Sequence, residues 1–567
     1  MLKNHPQGLM VLFFTEMWER FGFYLMLGIF TLYMIADEGE KFAGLAFDQA
    51  KAADVYGTYI ALVYLTPFFG GLLADRILGY RRAIFLGGSF MATGYLGLAI
   101  PDSMLFFYLS LLLIIIGNGL FKPNISVLLG KLYETDQYRH LKDSGFNIFY
   151  MGINIGAFVC NFVAAYLRIK FGWGWAFAAA GFGMIIGLFW LYFGQMVAPN
   201  IKAADVMPEA KADETPLSQV LIKLFIPAFI FGFIGWIIPN NVFGADSTDA
   251  FILMSIPLII FYVNLWRKAD QHEKEPIAAL LSVFAVVIIF WAIFHQNGSA
   301  LTYWARDYTN REVGETIQKP LASLGMIEEV STVPRNFTVT GPHGEDLGTQ
   351  SGPSYYFWNY RGTLPTGLTD KPDDVKDQDW ENISDEERSN YGAIHLWPTE
   401  LQASINPFFI IIFTPLVVSF FNFLRKRGRE PSTPAKIGYG LLITTLSMVI
   451  MIIAAIYTGS GAVKASAWWL VSTYAVITVG ELCLSPMGLS LVSKLSPKRV
   501  AALMMGGWFL STAVGNKLSG VLSGLWVSFD HKAYFFLTNT LLTMVAVIGI
   551  FILLPWLRRV VQGNAHN

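Results

Sequence analysis

Long apolar stretches recur along most of this 567-residue chain. The hydrocarbon core of a bilayer is about 30 Å thick, so a helix of about 20 mostly apolar residues crosses it. About fourteen stretches meet that length. They lie near residues 9–35, 55–74, 82–100, 104–130, 145–167, 174–196, 218–239, 250–266, 277–304, 401–424, 436–458, 466–494, 500–527 and 533–556. We predict an all-α, multi-pass membrane protein, because only helices and closed barrels satisfy their backbone hydrogen bonds inside a bilayer.

The composition agrees with this class. Hydrophobic residues make up 54% of the chain and charged residues only 14%, whereas soluble domains carry about 25% charged residues. The net charge is −1, and no block of lysine and arginine forms a basic footprint. These features exclude an ordinary soluble enzyme, a disordered protein and a nucleic-acid binder.

Basic side chains concentrate in alternate loops between the predicted spans. They are Arg76, Arg81, Arg82, Lys131, Arg139, Lys142, Arg267, Lys268, Lys274, Arg425, Lys426, Arg427, Arg429, Lys494, Lys498, Arg499, Arg558 and Arg559. The opposite loops are acidic or nearly uncharged. Because loops rich in lysine and arginine stay in the cytoplasm, we predict that both termini are cytoplasmic in a cell (inner) membrane.

Residues 305–399 interrupt the pattern with a polar segment that holds 16 acidic and 8 basic side chains. By alternation this insert is extracytoplasmic. The stretch 336–340 and the aromatic residues predict a small folded cap that contains β-structure. The aromatic residues are Tyr355, Tyr356, Phe357, Trp358 and Tyr360. The alternative is an ordered long loop without a separate function.

Ionisable side chains within the predicted spans are the most informative residues. Each costs about 2.5–3.5 kcal/mol at a helix centre, so each should face a cavity and pair. They are Glu16, Glu19 and Arg20 on one stripe of the first span, Lys122 in the fourth, His295 in the ninth and Glu481 in the twelfth. Several such groups of both signs favour a polar central cavity. The alternative is that some form salt bridges that only hold the helices together.

A cavity of this kind suits proton coupling. A substrate anion that competes for the buried cation frees a carboxylate to take up a proton, which links binding to protonation.

Five segments, in order along the chain, carry a resemblance to a known family. They are residues 16–24 (EMWERFGFY), 71–76 (GLLADR) with Gly79, Arg81 and Arg82 after it, 121–124 (FKPN), 149–156 (FYMGINIG) and 480–486 (GELCLSP). Together they closely resemble the proton-dependent oligopeptide transporter family of the major facilitator superfamily, bacterial type. The family's first-helix pattern ExxERFxYY is changed here only at Phe23. The resemblance covers the chain except residues 305–399.

The resemblance implies the major facilitator fold, with two six-helix bundles, an extra two-helix hairpin and alternating access. The implied divisions are an N-terminal bundle (1–196), a linker with the hairpin (197–274), the first helix of the C-terminal bundle (275–304), the insert (305–399) and the rest of that bundle (400–567).

The resemblance also implies roles for individual residues. Glu16, Glu19, Arg20 and Lys122 would couple protons, and Lys122 would also bind the peptide carboxylate. Glu481 would bind the peptide amino terminus, with help from Asn154 and Asn406. The side-chain pockets would be lined by Tyr24, Tyr64, Trp291, Ser485 and Trp508.

Two positions depart from the family together. Most members carry an arginine where this chain has Leu27 and an acidic residue where it has His295. In the family, the arginine and the acidic residue look like a salt-bridged pair near the outer gate. Because both partners are replaced in this chain, neither replacement leaves an unpaired charge. His295 could itself titrate and join the proton-coupling set, because the ordinary pKa of histidine is near 6.5; the alternative is a neutral, hydrogen-bonded histidine.

The leading interpretation is a proton-coupled symporter that imports di- and tripeptides, probed most directly by dialanine uptake. The runner-up is proton-coupled transport of another small solute, such as nitrate or an organic anion, on the same fold. Glu481 argues against that cargo, because a buried carboxylate repels an anion.

An intramembrane enzyme or receptor has no supporting motif, so we predict no catalytic activity, no metal and no cofactor beyond the proton gradient. A monomer in the lipid bilayer is expected, and the insert is a candidate for capturing substrate or a partner.

Overall fold

The structure, a computed structural model, describes residues 5–37, 40–101, 103–206, 221–239, 241–242, 244–340, 346–353, 357, 363–497 and 500–564. Fourteen main helices account for most of these residues. They are α1 (Gly8–Ile35), α2 (Gln49–Leu73), α3 (Tyr80–Leu98), α4 (Met104–Leu132), α5 (Lys142–Phe171), α6 (Trp173–Val197), α7 (Ile226–Ile237), α8 (Asp246–Arg267), α9 (Gln271–Phe294), α10 (Ile405–Lys426), α11 (Thr433–Tyr457), α12 (Ala467–Leu495), α13 (Ala501–Gly524) and α14 (Lys532–Asn564).

Ten of these helices are long and apolar enough to cross a membrane. The other four are α1, α3, α7 and α13; α1 carries three ionisable residues inside its apolar run, and α7 has only 12 residues. The all-α membrane class is confirmed, whereas the count of fourteen crossings is not.

The helices pack as two halves and a hairpin. In the N-terminal half α1 packs on α5 and α6, and α3 packs on α4 and α6. In the C-terminal half α11 packs on α12 and α14, and α9 packs on α13 and α14. Helices α7 and α8 pack on each other as the hairpin. Glycine allows the closest crossings: a Cβ at Gly70 of α2 would overlap the backbone of Gly119 in α4, and small residues are what let membrane helices approach.

The two halves close on each other at one end of the molecule, which we call the insert face because the described residues of 309–399 lie there. Gly57 of α2 faces Gly520 of α13 so closely that a Cβ on either would meet the opposing backbone. Thr31 of α1 donates to the carbonyl oxygen of Gly298, just beyond α9, at 2.5 Å. The opposite end, where α1 begins and α14 ends, is called the terminal face. There, within the described residues, α4 and α5 make no extensive contact with α12. The halves are therefore less closely packed there, although Phe68 of α2 still lies against Gly506 of α13.

The insert contains the predicted β-structure. Strand β1 (Glu328–Ser331) pairs antiparallel with β4 (Ala393–Leu396), and β2 (Arg335–Thr340) pairs antiparallel with β3 (Asp346–Gly352). Val330, Phe357 and Leu396 form a small apolar core. The stretch 336–340 lies in β2, as predicted. Of the predicted aromatic cluster only Phe357 is described; Tyr355, Tyr356, Trp358 and Tyr360 lie outside the described residues.

A buried ion-pair network joins the insert to both halves. Arg168, near the insert-face end of α5, donates to the two carboxylate oxygens of Glu400 at 2.7 and 3.1 Å. It also donates to Glu328 of β1 at 3.2 Å, and Arg311 donates to the other oxygen of Glu328 at 3.0 Å. Glu400 lies in the 3-10 turn that precedes α10. Arg168 therefore links the N-terminal half, the C-terminal half and the insert.

This network predicts that docking of the insert weakens in acid. Burial raises the pKa of Glu328, but Arg168 and Arg311 outweigh it and hold that pKa at about 2, below the ordinary 4.5. A carboxyl whose pKa is depressed by folding stabilises the folded state above its ordinary pKa, and that stabilisation is lost as the pH falls from about 4.5 toward 2. Spin labels can be placed at Lys170 and Glu386, which are both exposed. The distribution of distances between the two labels, measured by pulsed electron–electron double resonance, should broaden as the pH falls over this range.

The variant Glu328→Gln has no titrating group at this position. It should give a broader distribution at neutral pH and little further change in acid. The matched control is Glu329→Gln, the neighbouring half-buried strand residue, which should keep the wild-type dependence. An unchanged distribution in wild-type protein down to pH 3 would contradict the prediction.

Candidate functional site

The first helix places two carboxylates around one guanidinium. Arg20 Nε lies 2.8 Å from Glu16 Oε1 and 2.8 Å from Glu19 Oε2. All three side chains are buried, with at most 4% of each residue exposed. Glu16 and Arg20 are one helical turn apart, so the pair forms along the helix, while Glu19 reaches the same cation from the adjacent position. One positive charge shared by two carboxylates leaves a net negative cluster in a buried place.

Lys122 of α4 faces this cluster without being bound to it. It lies within electrostatic range of Glu16, Glu19 and Arg20. No carboxylate of the described residues lies within ion-pair distance of its amine. The Nζ atom instead sits 4.1 Å from the ring centroid of Tyr64 in α2, an attractive arrangement for a cation and an aromatic face. Its amine donors are therefore available to an anion that enters the cavity.

Aromatic rings connect this cation to the C-terminal half. The Tyr64 ring lies edge-on to His295, with centroids 5.6 Å apart, and 6.4 Å from Trp291. Trp291 and His295, both buried, lie 5.3 Å apart at the end of α9. The His295 ring is thus packed among aromatic rings, and among the described residues it forms no ion pair. A titrating role for His295 stays a prediction.

A second carboxylate lies on the opposite half. Glu481 of α12 accepts a hydrogen bond from Asn406 Nδ2 of α10 at 3.1 Å, and the same amide donates to Thr478 Oγ1 at 2.9 Å. Glu481 is half-buried, and among the described residues no basic group pairs with it. Asn406 therefore orients a carboxylate that still lacks a cation.

Three tyrosines of the N-terminal half lie close to Glu481 of the C-terminal half. Tyr24, Tyr64 and Tyr150 all lie within electrostatic range of Glu481 across the gap between the halves. Tyr24 is also within range of Arg20. Tyr150 remains 41% exposed, which shows that this part of the gap is open. Arg20 and Glu481 therefore lie on either side of the same gap, within range of the same tyrosines.

The remaining predicted residues lie in different surroundings. Asn154 is buried and donates to the Tyr150 carbonyl oxygen of its own helix at 2.9 Å. Ser485 is half-buried one turn beyond Glu481. Trp508 is 3% exposed and packs against Gly488 and Phe284 inside the C-terminal half, a position that suits helix packing. Their roles in binding stay predictions.

Sequence reasoning missed the charged contacts that close the insert face. Lys517 of α13 donates to Asp54 Oδ1 of α2 at 2.5 Å, to Thr58 at 2.8 Å and to Ser247 of α8 at 2.8 Å. Arg168 and Glu400 form the second contact described above. The position of Lys517 inside the predicted span 500–527 is a sequence signal for such a contact, because a buried cation needs a partner.

The fold and this site define a class of protein: a multi-pass membrane transporter of the major facilitator type, with a polar cavity between two helical halves. The family model described as the POT family matches residues 81–333 and 387–553. The chain belongs to the POT family. The gap in this match, 334–386, lies inside the insert and is narrower than the range 305–399 that the sequence motifs leave outside the resemblance.

Individual relatives agree along nearly the whole chain. An uncharacterized transporter of Bacillus subtilis, YclF, is 30% identical over 562 residues, which span 99% of this chain and 96% of that protein. A di-/tripeptide transporter of Lactococcus lactis is 29% identical over 559 residues, or 98% and 96% of the two chains. The crystal structure of a peptide transporter POT in complex with sulfate is similar with a TM-score of 0.74 at 29% identity, covering 98% of this chain and 96% of that one.

Proposed function

We propose that this protein is a proton-coupled symporter that imports di- and tripeptides by alternating access. Peptides are zwitterions, and the cavity offers Lys122 and Arg20 at one end and Glu481 at the other. The observation that carries the proposal is Glu481, a carboxylate held by neutral Asn406 and facing the tyrosines of the other half. A carboxylate without a cation at the wall of a cavity suits an amino terminus and repels an anion. The lactococcal relative named above as a di-/tripeptide transporter supports the same cargo.

Proton coupling would reside in the cluster on α1. Arg20 is shared between Glu16 and Glu19 at 2.8 Å each, and the amine of Lys122 faces them. A peptide carboxylate that draws Lys122 toward itself weakens its attraction for Glu19, and the carboxylate then takes up a proton more readily. Binding of peptide and binding of proton each favour the other, as linkage requires.

The contacts between the halves support an inward-facing state. We propose that the insert face is extracytoplasmic and that both termini are cytoplasmic, in a bacterial inner membrane. Lys517–Asp54 and Arg168–Glu400 then close the outer side. These two pairs would replace the outer-gate pair that Leu27 and His295 no longer form. We propose that the transporter works as a monomer and needs no cofactor besides the proton gradient.

Uptake by reconstituted protein tests the proposal directly. Proteoliposomes should accumulate labelled dialanine above the outside concentration when the interior is alkaline, and only equilibrate it when the two pH values are equal. Protein-free vesicles provide the background. Accumulation of labelled nitrate or an organic anion in place of dialanine would support the runner-up function. Dialanine uptake that does not depend on the pH gradient would contradict proton coupling.

A further inference from the structure

The insert carries a short helix with an exposed apolar stripe. We call it the insert helix (Glu315–Ser323). Together with the residue that follows it, this helix holds Ile317, Leu321 and Leu324 at the spacing i, i+4 and i+7, which places side chains on one side of a helix. Leu321 is half-buried, whereas Ile317 is 56% exposed and Leu324 is 62% exposed. The described residues therefore leave most of two neighbouring large apolar side chains uncovered.

The opposite side of the insert helix is polar. Thr316, Lys319 and Ser323 lie on that side, and all three are exposed. A helix with one apolar and one polar side suits a boundary between two environments, and this arrangement is typical of helices that lie along the surface of a bilayer.

The end of the insert helix packs against the outer side of α5. Gly325 follows the helix with a φ of +66°, a conformation that glycine adopts readily. A Cβ at Gly325 would lie 2.6 Å from the Cδ2 atom of Tyr166 in α5. Three residues later, Glu328 accepts a hydrogen bond from Arg168 of the same helix at 3.2 Å. These two contacts fix the insert helix beside the insert-face end of α5.

Tyr166 belongs to a row of exposed aromatic rings at the insert-face ends of α5 and α6. The ring centroids of Tyr166 and Phe171 are 6.3 Å apart, and those of Phe171 and Trp175 are 6.0 Å apart. Farther from the insert face, Val159 of α5 and Phe182 of α6 are also exposed within these apolar helices. Tyrosine and tryptophan concentrate where a bilayer meets water. The row therefore marks the membrane interface at the level of the insert helix.

We propose that the insert helix lies in the membrane interface at the insert face, with Ile317 and Leu324 in contact with the acyl chains next to the headgroups. Lipid fits this stripe because the stripe continues the exposed apolar surface that includes Tyr166. Lys170 supports the same partner: its Cε atom lies 3.7 Å from the Cβ position of Gly325, and its side chain is exposed, so its amine reaches the lipid phosphates. Helices of this kind bury their apolar side about 5–10 Å into the boundary between headgroups and acyl chains.

This contact gives the insert a second kind of attachment. The ion pairs of Arg168 join it to the two helical halves, and the insert helix joins it to the membrane itself. The inference does not depend on which solute the protein transports, so it stands or falls separately from the proposed function.

Contact with lipid can be measured without a probe on the protein. Phospholipids that carry a diazirine near the top of the acyl chain react, on illumination, with the side chains that they touch. In proteoliposomes of the wild-type protein, mass spectrometry should find lipid adducts on Ile317 and Leu324. In the double variant Ile317→Gln/Leu324→Gln, the yield of adducts on residues 315–326 should fall about tenfold or more, because apolar burial no longer favours the membrane.

The matched control changes the polar side of the same helix. The double variant Thr316→Gln/Ser323→Gln should keep the wild-type yield of adducts on residues 315–326. Adducts on Phe171 and Trp175 should persist in all three proteins, which would show that each protein is folded and inserted in the bilayer.

Spin labels measure the depth of the same positions. Labels at Ile317→Cys and Leu324→Cys should be more accessible to oxygen, which dissolves in lipid, than to a water-soluble nickel chelate. A label at Phe182→Cys provides the lipid-facing reference, and a label at Lys319→Cys should show the reverse preference. The two native cysteines are both buried, and labelling of the wild-type protein gives the background.

Three outcomes would overturn the inference. The first is a lack of lipid adducts on residues 315–326 of the wild-type protein, or equal yields in the two double variants. The second is a label at position 317 or 324 that is as accessible to the nickel chelate as the label at position 319, because the stripe then faces water. The third is shielding of positions 317 and 324 from both reagents, which would show that protein, such as a second copy of this chain, covers the stripe.

Discussion

Replacing Glu481 by glutamine should remove the ability of this transporter to recognise a free amino terminus. Glutamine has the shape of glutamate and can still bond to Asn406, so the local helix packing should survive. Hydrogen bonds that involve a charged group contribute about 1.5–3 kcal/mol, which corresponds to about 10- to 100-fold in affinity. We expect uptake of dialanine at subsaturating concentration to fall by that factor in proteoliposomes.

A substrate lacking the amine makes this prediction specific. Wild-type protein should prefer dialanine to N-acetyl-dialanine by about the same 10- to 100-fold, and Glu481→Gln should transport the two at similar, low rates. The control variant is Glu430→Gln, which changes a carboxylate paired with Arg425 and Lys436 between α10 and α11, away from the cavity. A Glu481→Gln protein that still discriminates between the two peptides would place the amine elsewhere.

The variant Glu19→Gln should separate peptide movement from proton movement. Glutamine cannot take up a proton, so gradient-driven accumulation of dialanine should disappear. Arg20 keeps its ion pair with Glu16 at 2.8 Å, so the cation is not left unpaired and the fold should be retained. Counterflow should therefore continue.

Glu16→Gln provides the comparison, since it leaves Arg20 paired with Glu19. If Glu19 carries the coupling proton, Glu16→Gln should retain part of the driven uptake. Accumulation that persists in Glu19→Gln, with counterflow equal to wild type, would move proton coupling to another group.

The surroundings of His295 bear on how the outer side is closed. His295 lies among Tyr64, Trp291 and Phe294, where a ring packs well and a charge does not. The ionic contacts instead occur nearer the insert, at Arg168 and Lys517. In our proposal the outer gate is thus held by charges at the rim and by aromatic packing below it.

The site could be predicted to the extent that charge in a bilayer is costly. Glu16, Glu19, Arg20, Lys122 and Glu481 stand out in apolar runs. The structure pairs Arg20 with both glutamates of its helix and places Lys122 over the ring of Tyr64, which is within electrostatic range of Glu481. Trp508 did not stand out in this way, because tryptophan serves packing as readily as binding, and it lies packed inside the C-terminal half.

The sequence alone determined that this protein lies in a lipid bilayer, because apolar runs of bilayer length require helices. It also determined the family, because ordered motifs within those runs identify the POT family. Tertiary structure decided the pairings. Lys517 meets Asp54 across 463 positions, and Arg168 meets Glu400 across 232. No sequence pattern predicts such partners. Their contact depends on how the two helical halves pack against each other and on which end of the gap between them is closed.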